Sequence, residues 1–360
     1  MRYVTSTFLY DPKLKYSETF VTDFHYFRAL EYKLLLQTPH LRKILRAFLY
    51  PGGHWRLLNK LKRNKPDLVH FQWSRLPIFD RWLVSKIRQL GIPIIHTIHD
   101  VEPSFPMGPF TGQLQDVYSQ VDGFVVHTQD SRNRFLKHFP ALKPNSVHVI
   151  PLITTTDHFM PAEASQQLAR QHLNINPEAF VILFFGSIKH YKGVDVLEKA
   201  LLIVEAQYPD FQLWIVGRPE TEQDAQLLDK LKKRRNIHIH SEYVPSNVVW
   251  QYHLSADVVV FPYRSIFQSA ALNTAMGYGR AVIVTDVGGL PESIDGNGWI
   301  VPPENPTAFA EALIEAINNR AQLDQMGEKS LEIVVKRHGP TAVAHEHLAL
   351  YRRVIDSYST

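Results

Sequence analysis

Two segments of the chain bring together the residue types that hold phosphate. The first, Phe184-Phe185-Gly186-Ser187-Ile188-Lys189-His190-Tyr191-Lys192-Gly193, is an apolar run that turns through a glycine into a loop with two lysines. The second, Phe261-Pro262-Tyr263-Arg264-Ser265-Ile266-Phe267-Gln268-Ser269-Ala270-Ala271, passes from an apolar stretch through a polar turn into a helix start. A strand that re-enters a helix in this way presents unsatisfied backbone N–H groups at the helix N-terminus, where the dipole favours an anion. Lys192 and Lys189 would add charge-assisted hydrogen bonds to a diphosphate held there. The chemistry open to such a site is electrostatic stabilisation of a leaving diphosphate.

Other chemistries lack the residues to carry them. The chain has no G-x-x-x-x-G-K-[ST] loop, and the pairs Gly277/Gly279 and Gly296/Gly298 have Val282 and Val301 where a dinucleotide fingerprint needs its third glycine. Its 18 histidines include no H-E-x-x-H or comparable metal spacing, and no G-x-S-x-G elbow is present. No Asp-x-Asp pair exists to clamp a metal on a diphosphate, so helix N-termini and side-chain cations must hold it, and no metal is expected.

Strand-like runs alternate with helical patterns and would position these loops. In the first half, strands are expected at Leu68–Phe71, Pro93–Ile98, Gly123–His127 and Val147–Ile150, with helices at Phe79–Leu90, Gln113–Val121 and Ser131–His138. In the second, strands are expected at Phe180–Phe185, Gln212–Val216, Ile237–His240, Val258–Phe261, Ala281–Thr285 and Gly298–Val301. The helices between and after them fall at Val194–Gln207, Glu222–Arg234, Val248–Leu254, Leu272–Tyr278, Pro306–Asn318, Ala321–Lys336 and Pro340–Ser357. This βα rhythm with continuously apolar strands indicates parallel sheets covered on both faces. Thr154 to Pro177 has little strand character and reads as the linker. The fold class is therefore α/β, two doubly wound Rossmann-like domains facing a cleft at their strand ends. The domains are placed at residues 1–160 and 161–338, with a last helix over 339–360.

With no cysteine, disulfides and thiolate metal sites are excluded. No unbroken apolar run is long enough to span a membrane and the start lacks a signal-peptide pattern, which together predict a cytoplasmic protein. Charge is uneven: residues 1–100 carry 17 Lys and Arg against 7 Asp and Glu, the remainder 22 against 28. Between Arg42 and Lys65 the positives interleave with Phe48, Leu49, Tyr50, Trp55, Leu57, Leu58 and Leu61. That stretch (42–65) reads either as a surface for an anionic membrane, on its inner face, or as an ordinary pair of amphipathic helices. No nucleic-acid partner is expected, because no reading motif is present.

The stretch from Phe184 to Pro303 resembles the donor-binding domain of the family four retaining GT-B glycosyltransferases. The resemblance rests on Gly186…Tyr191-Lys192-Gly193, Ile215-Val216-Gly217, Ala256-Asp257-Val258 through Tyr263, and Gly279-Arg280-Ala281 through Gly288-Gly289-Leu290-Pro291-Glu292. Asp67-Leu68-Val69-His70-Phe71 and His96-Thr97-Ile98-His99-Asp100 resemble the acceptor domain. The resemblance implies that Lys192 holds the donor diphosphate, with Gly186, Ser187 and the backbone of Gln268, Ser269, Ala270 and Ala271 beside it. It places Val244 at the nucleotide base, Asn273 and Thr274 among substrate-binding positions, and His99 opposite the transferred sugar. The last helix from Pro340 would cross back onto the first domain.

Three departures bear on activity. Ser187 stands where the family commonly has Arg, with Lys189 as the replacement cation. The family's two glutamates, eight residues apart, correspond to Ile266 and Thr274 here. The first glycine of the chain is Gly52, so the Gly-rich opening loop of the family is not found, and either the N-terminal unit is shortened or the reading frame begins late. His70 and His96 read as structural, Gly288-Gly289 as a tight turn, and Glu292 as a local cap.

The resulting expectation is a retaining, metal-independent glycosyltransferase without cofactor. It would move a sugar from a nucleotide-diphosphate donor to a saccharide or lipid-linked acceptor, in cell-surface polysaccharide or glycolipid assembly. The alternatives are a non-catalytic GT-B scaffold or partner subunit that still binds nucleotide, and an epimerase or hydrolase on the same fold.

Overall fold

In a computed structural model the described residues are 3–5, 22–25, 39–74, 76–100, 111–156 and 160–359. The reading of a shortened N-terminal unit concerns residues outside these, and the side chains of the basic stretch before residue 48 are likewise outside. The chain forms two compact units, one of Met1–Val125, Leu136–His148 and Leu350–Thr360, the other of Val126–Phe135 and Val149–Ala349.

The first unit begins with two short parallel strands, β1 (Tyr3–Thr5) and β2 (Thr22–His25). Helix α1 (Pro39–Arg63) runs unbroken through Pro51, where a pair of helices was one expectation. Leu57, Leu58 and Leu61, all after the proline, are buried on one face of it. Then β3 (Val69–Phe71), α2 (Pro77–Gln89), β4 (Ile94–Thr97), α3 (Thr111–Tyr118), β5 (Gly123–Val126) and β6 (Val147–Val149) follow; α4 (Gln129–His138), between β5 and β6 in the chain, belongs to the second unit as far as Phe135. The four strands β3 to β6 lie side by side in chain order, parallel where their register is defined. Asp80 of α2 accepts from Tyr50 (2.8 Å) and pairs with buried His54 (3.0 Å), which fastens α2 to α1.

The second unit is built on six parallel strands. They are β7 (Phe180–Phe185), β8 (Phe211–Val216), β9 (Ile237–His240), β10 (Val258–Phe261), β11 (Ala281–Thr285) and β12 (Gly298–Val301). Their spatial order is β12-β11-β10-β7-β8-β9, so successive strands move outward one way from β7 and then the other way from β10. β7 and β10 are hydrogen-bonded neighbours, with Val258 opposite Ile182. The central strands are buried along nearly their whole length because helices cover both faces. The helices are α5 (Gln166–His172), α6 (Val194–Glu205), α7 (Glu222–Leu231), α8 (Val249–Ser255), α9 (Ala270–Gly277), α10 (Pro306–Asn318), α11 (Arg320–Ile333) and the start of α12 (Pro340–Ser359), which from Leu350 on belongs to the first unit. A π-helical turn at Val334–His338 closes α11.

Helix α5 lies inside the stretch expected to be a linker. Seven residues without apolar periodicity do not announce a helix; tertiary contacts hold it instead. Ser165 caps it by accepting from Leu168 N, and buried Arg170 reaches Asp257 (2.8 Å), whose carboxylate also takes the Val181 amide (2.7 Å).

Candidate functional site

The reversal of strand order between β7 and β10 fixes where a ligand can enter. At such a switch point the loops after adjacent strands diverge to opposite faces and leave a crevice at the carboxyl ends. The loop after β7 carries Gly186 to Gly193, and the loop after β10 carries Pro262 to Ser269. Both segments singled out by residue type therefore leave the sheet at its switch point.

Lys192 closes a 3-10 turn, His190–Lys192, that Gly193 ends in the left-handed conformation (φ 68°). Its side chain folds back over the start of the loop. A methyl group on Gly186 would lie 3.0 Å from Lys192 Nζ, which sits 5.4 Å from the Tyr263 ring centroid. Lys192 is buried, and no carboxylate among the described residues lies within ion-pair distance of it. Burial, followed by repulsion from Lys189, pushes its ammonium down to about 8. Holding a lysine charged in such a place costs free energy that a bound anion would return.

Lys189 is engaged differently. It forms an ion pair with Glu220 (3.0 Å) and lies over the Tyr191 ring (5.9 Å). Ser187 is exposed beside it. Val244 is half-buried against the apolar core, flanked by exposed Tyr243.

At the second loop, Ser269 caps α9, its hydroxyl oxygen accepting from Leu272 N (3.1 Å). The amides of Ala270 and Ala271 are the first two of the helix and have no partner within it. Thr274 donates its hydroxyl to Ala270 O (2.8 Å) and keeps its lone pairs. Gln268 is half-buried just before the cap. Asn273 faces elsewhere: it is buried, with Nδ2 3.2 Å from His338 Nδ1 and 3.5 Å from Leu152 O. That amide ties α9 to the chain before it and to the π-turn after it.

Arg264 is a residue that sequence reasoning passed over. From the second loop it grips Asp195 through two hydrogen bonds (2.9 and 2.7 Å), donates to His190 O (2.7 Å), and meets Glu304 (3.0 Å). Its own amide donates to Tyr191 O (2.7 Å). The two loops are thus one rigid piece, and the Arg264 guanidinium holds the Asp195 carboxyl below its usual range. Only the position of an arginine shortly after an apolar strand hinted at this, since its side-chain partners are 40 to 74 residues away. Arg264→Ala should lower nucleotide affinity about tenfold and stability by about 1–2 kcal/mol, since the bidentate pair is partly solvated. Titration and urea unfolding of the variant check both.

The Gly288-Gly289 turn braces the second loop from the other side. Gly288 has φ 55°, and a methyl there would lie 1.8 Å from Ile266 O. Glu292 caps a helix, although not its own turn: its carboxylate takes the amides of Gln129 (2.7 Å) and Asp130 (2.8 Å) at the start of α4.

In the first unit, His99 follows β4. Its ring stacks on Trp73 (4.5 Å between centroids, 17° between planes), and Nε2 is 3.0 Å from Gln72 Oε1. His96 is buried and bonded to Ser74 and to Thr97 O, and burial lowers it to about 4. His70 lies between Tyr351 (2.6 Å) and Thr97 (2.8 Å).

Two parallel α/β units, the second with two cross-linked loops at its switch point, match the GT-B class. Comparison with known proteins agrees with this and narrows it. Residues 179–319 match the family model for glycosyl transferases group 1, and residues 12–158 match that for glycosyltransferase family 4. Each half of the chain thus carries a glycosyltransferase domain, group 1 in the second and family 4 in the first. It is 29% identical over 302 residues to the D-inositol 3-phosphate glycosyltransferase of Jonesia denitrificans, covering 76% of this chain and 67% of that one. It is 27% identical over 292 residues to the alpha-maltose-1-phosphate synthase of Mycolicibacterium smegmatis, covering 73% and 74%. In fold it is similar to Anabaena HepE in complex with UDP, with TM-score 0.70, 16% identity, and coverage of 84% and 82%. The sucrose-phosphate synthase of Thermosynechococcus elongatus is similar too, with TM-score 0.66, 19% identity, and coverage of 85% and 79%. No helix among the described residues is long and apolar enough to cross a membrane.

Proposed function

We propose that the protein is a retaining glycosyltransferase that uses a nucleotide-diphosphate sugar, without a metal, and transfers to a saccharide or lipid-linked acceptor in polysaccharide or glycolipid assembly. The observation that carries this is Lys192, buried between two loops at the switch point with no carboxylate among the described residues in ion-pair distance. A diphosphate would lie between Lys192 and the Ala270 and Ala271 amides, with Lys189 and Ser187 at its rim. As the glycosidic bond breaks, negative charge grows on the diphosphate, and these fixed donors stabilise it without reorganising. Val244 would face the base. The structural neighbour solved with UDP, and relatives named for transfer to inositol phosphate and for maltose-1-phosphate synthesis, support this reading.

The test is turnover of UDP-, GDP- and ADP-glucose in the presence of EDTA and mixed saccharide acceptors, with the product anomer read by NMR. Acceptor-dependent α-product from an α-donor is expected. An inverted product, or turnover only with added divalent metal, contradicts the mechanism.

A second reading, a nucleotide-binding partner subunit, is favoured by Ile266 and Thr274. An isoleucine offers no charge to a transferred sugar, and the Thr274 hydroxyl proton is already given to Ala270 O. Nucleotide binding without turnover on any acceptor is its signature.

A further inference from the structure

Helix α1 carries two apolar faces, and the fold buries one. His54, Leu57, Leu58 and Leu61 are buried, whereas Phe48 is 78% exposed and Trp55 is 62% exposed. Seven residues separate Phe48 from Trp55, and seven more lead to exposed Lys62, so the three form one stripe along the helix. Arg63 is exposed beside Lys62. Large aromatics repeated along one exposed face mark an interaction site, unlike apolar residues scattered singly. The charge around them selects the partner. Arg56, Lys60, Lys62 and Arg63 lie on the same helix, whose sequence from Pro39 to Arg63 has no Asp or Glu, so the complementary surface is anionic. A bilayer of acidic lipids joins negative charge to an apolar interior, as nucleic acid and soluble polyanions do not. Aromatic rings settle at headgroup depth, with Lys and Arg against lipid phosphates.

We propose that this face of α1 docks the protein on an anionic lipid bilayer, with Phe48 and Trp55 entering the headgroup layer and Lys62 and Arg63 meeting lipid phosphates. The proposal deepens the reading of a lipid-linked acceptor and rests on it for its purpose; the contact itself rests on the exposed stripe.

The experiment is co-sedimentation of the full chain with vesicles of phosphatidylcholine alone and with ~30 mol % phosphatidylglycerol, a charge density like that of an acidic leaflet. Binding is expected on the acidic vesicles only, weakened about tenfold by each of Phe48→Ser and Trp55→Ser. Lys62→Glu with Arg63→Glu should weaken it further and reduce its salt dependence. These positions are exposed, so the variants should keep the parent's melting temperature. Equal binding to both vesicle types, or loss only in Trp82→Ser on the neighbouring helix, would overturn the assignment. So would a concentration-dependent dimer abolished by Trp55→Ser, which would assign the stripe to a second copy. Nucleotide titration of the same variants separates the two claims. Intact nucleotide binding with no vesicle binding refutes only the docking, and the reverse refutes only the proposed donor site.

Discussion

Replacing Lys192 by Met is expected to weaken nucleoside-diphosphate binding thirty- to a hundredfold, the loss of about 2–3 kcal/mol of charge-assisted contact. The same change should raise stability at neutral pH by about 1 kcal/mol or more, because it removes a buried ammonium whose desolvation outweighs the attraction of Glu220. A structural lysine would lose in both measurements; opposite signs mark a residue kept for its ligand. The pH dependence follows. The ammonium titrates at about 8 in the folded protein against 10.5 in an unfolded chain. Between those values the unfolded state binds more protons, so wild-type stability gains on Lys192→Met as pH rises through that window. Nucleotide affinity moves the other way, falling by up to about tenfold per pH unit above 8, because binding requires the cation. Affinity that stays flat from pH 7 to beyond 9 would remove Lys192 from the site.

Gly193→Ala is expected to cost about 3 kcal/mol or more in urea unfolding, and to disable the site with it. A methyl group there would stand 1.9 Å from the Pro262 carbonyl oxygen, at a φ of +68° that side chains already disfavour. The two loops pass each other at this point, so relief of the clash must push apart the turn that ends in Lys192 and the strand end that leads to Ser269. Gly296 is the control. It has a similar φ of +77° with nothing within 4 Å of the added methyl, so Gly296→Ala should cost about 1 kcal/mol from backbone strain alone. Equal losses in the two variants would show that the approach to Pro262 is unimportant.

The strands that build the site were readable because they are buried on both faces. Phe180–Phe185 and Val258–Phe261 are continuous apolar runs bounded by polar turns, and the observed β7 and β10 have those limits. Helix starts were readable where a local signal existed, such as Asn305 capping the helix that begins at Pro306. What escaped depends on partners distant in sequence. Nothing near Arg264 names Asp195, and nothing near Arg170 names Asp257, so the lock between the loops and the helix within the linker stretch were invisible. Asn273 was read as a ligand contact from its place on α9, but that position also faces His338, and only packing decides which neighbour takes the amide.

Calorimetric titration of UDP, GDP and ADP into the wild-type chain and Lys192→Met tests the central claim, a diphosphate held between the loops after β7 and β10. Micromolar binding of one of the three, lost in the variant, is the predicted result. Binding that survives in Lys192→Met, or no binding of any nucleotide by a folded wild-type protein, would contradict it.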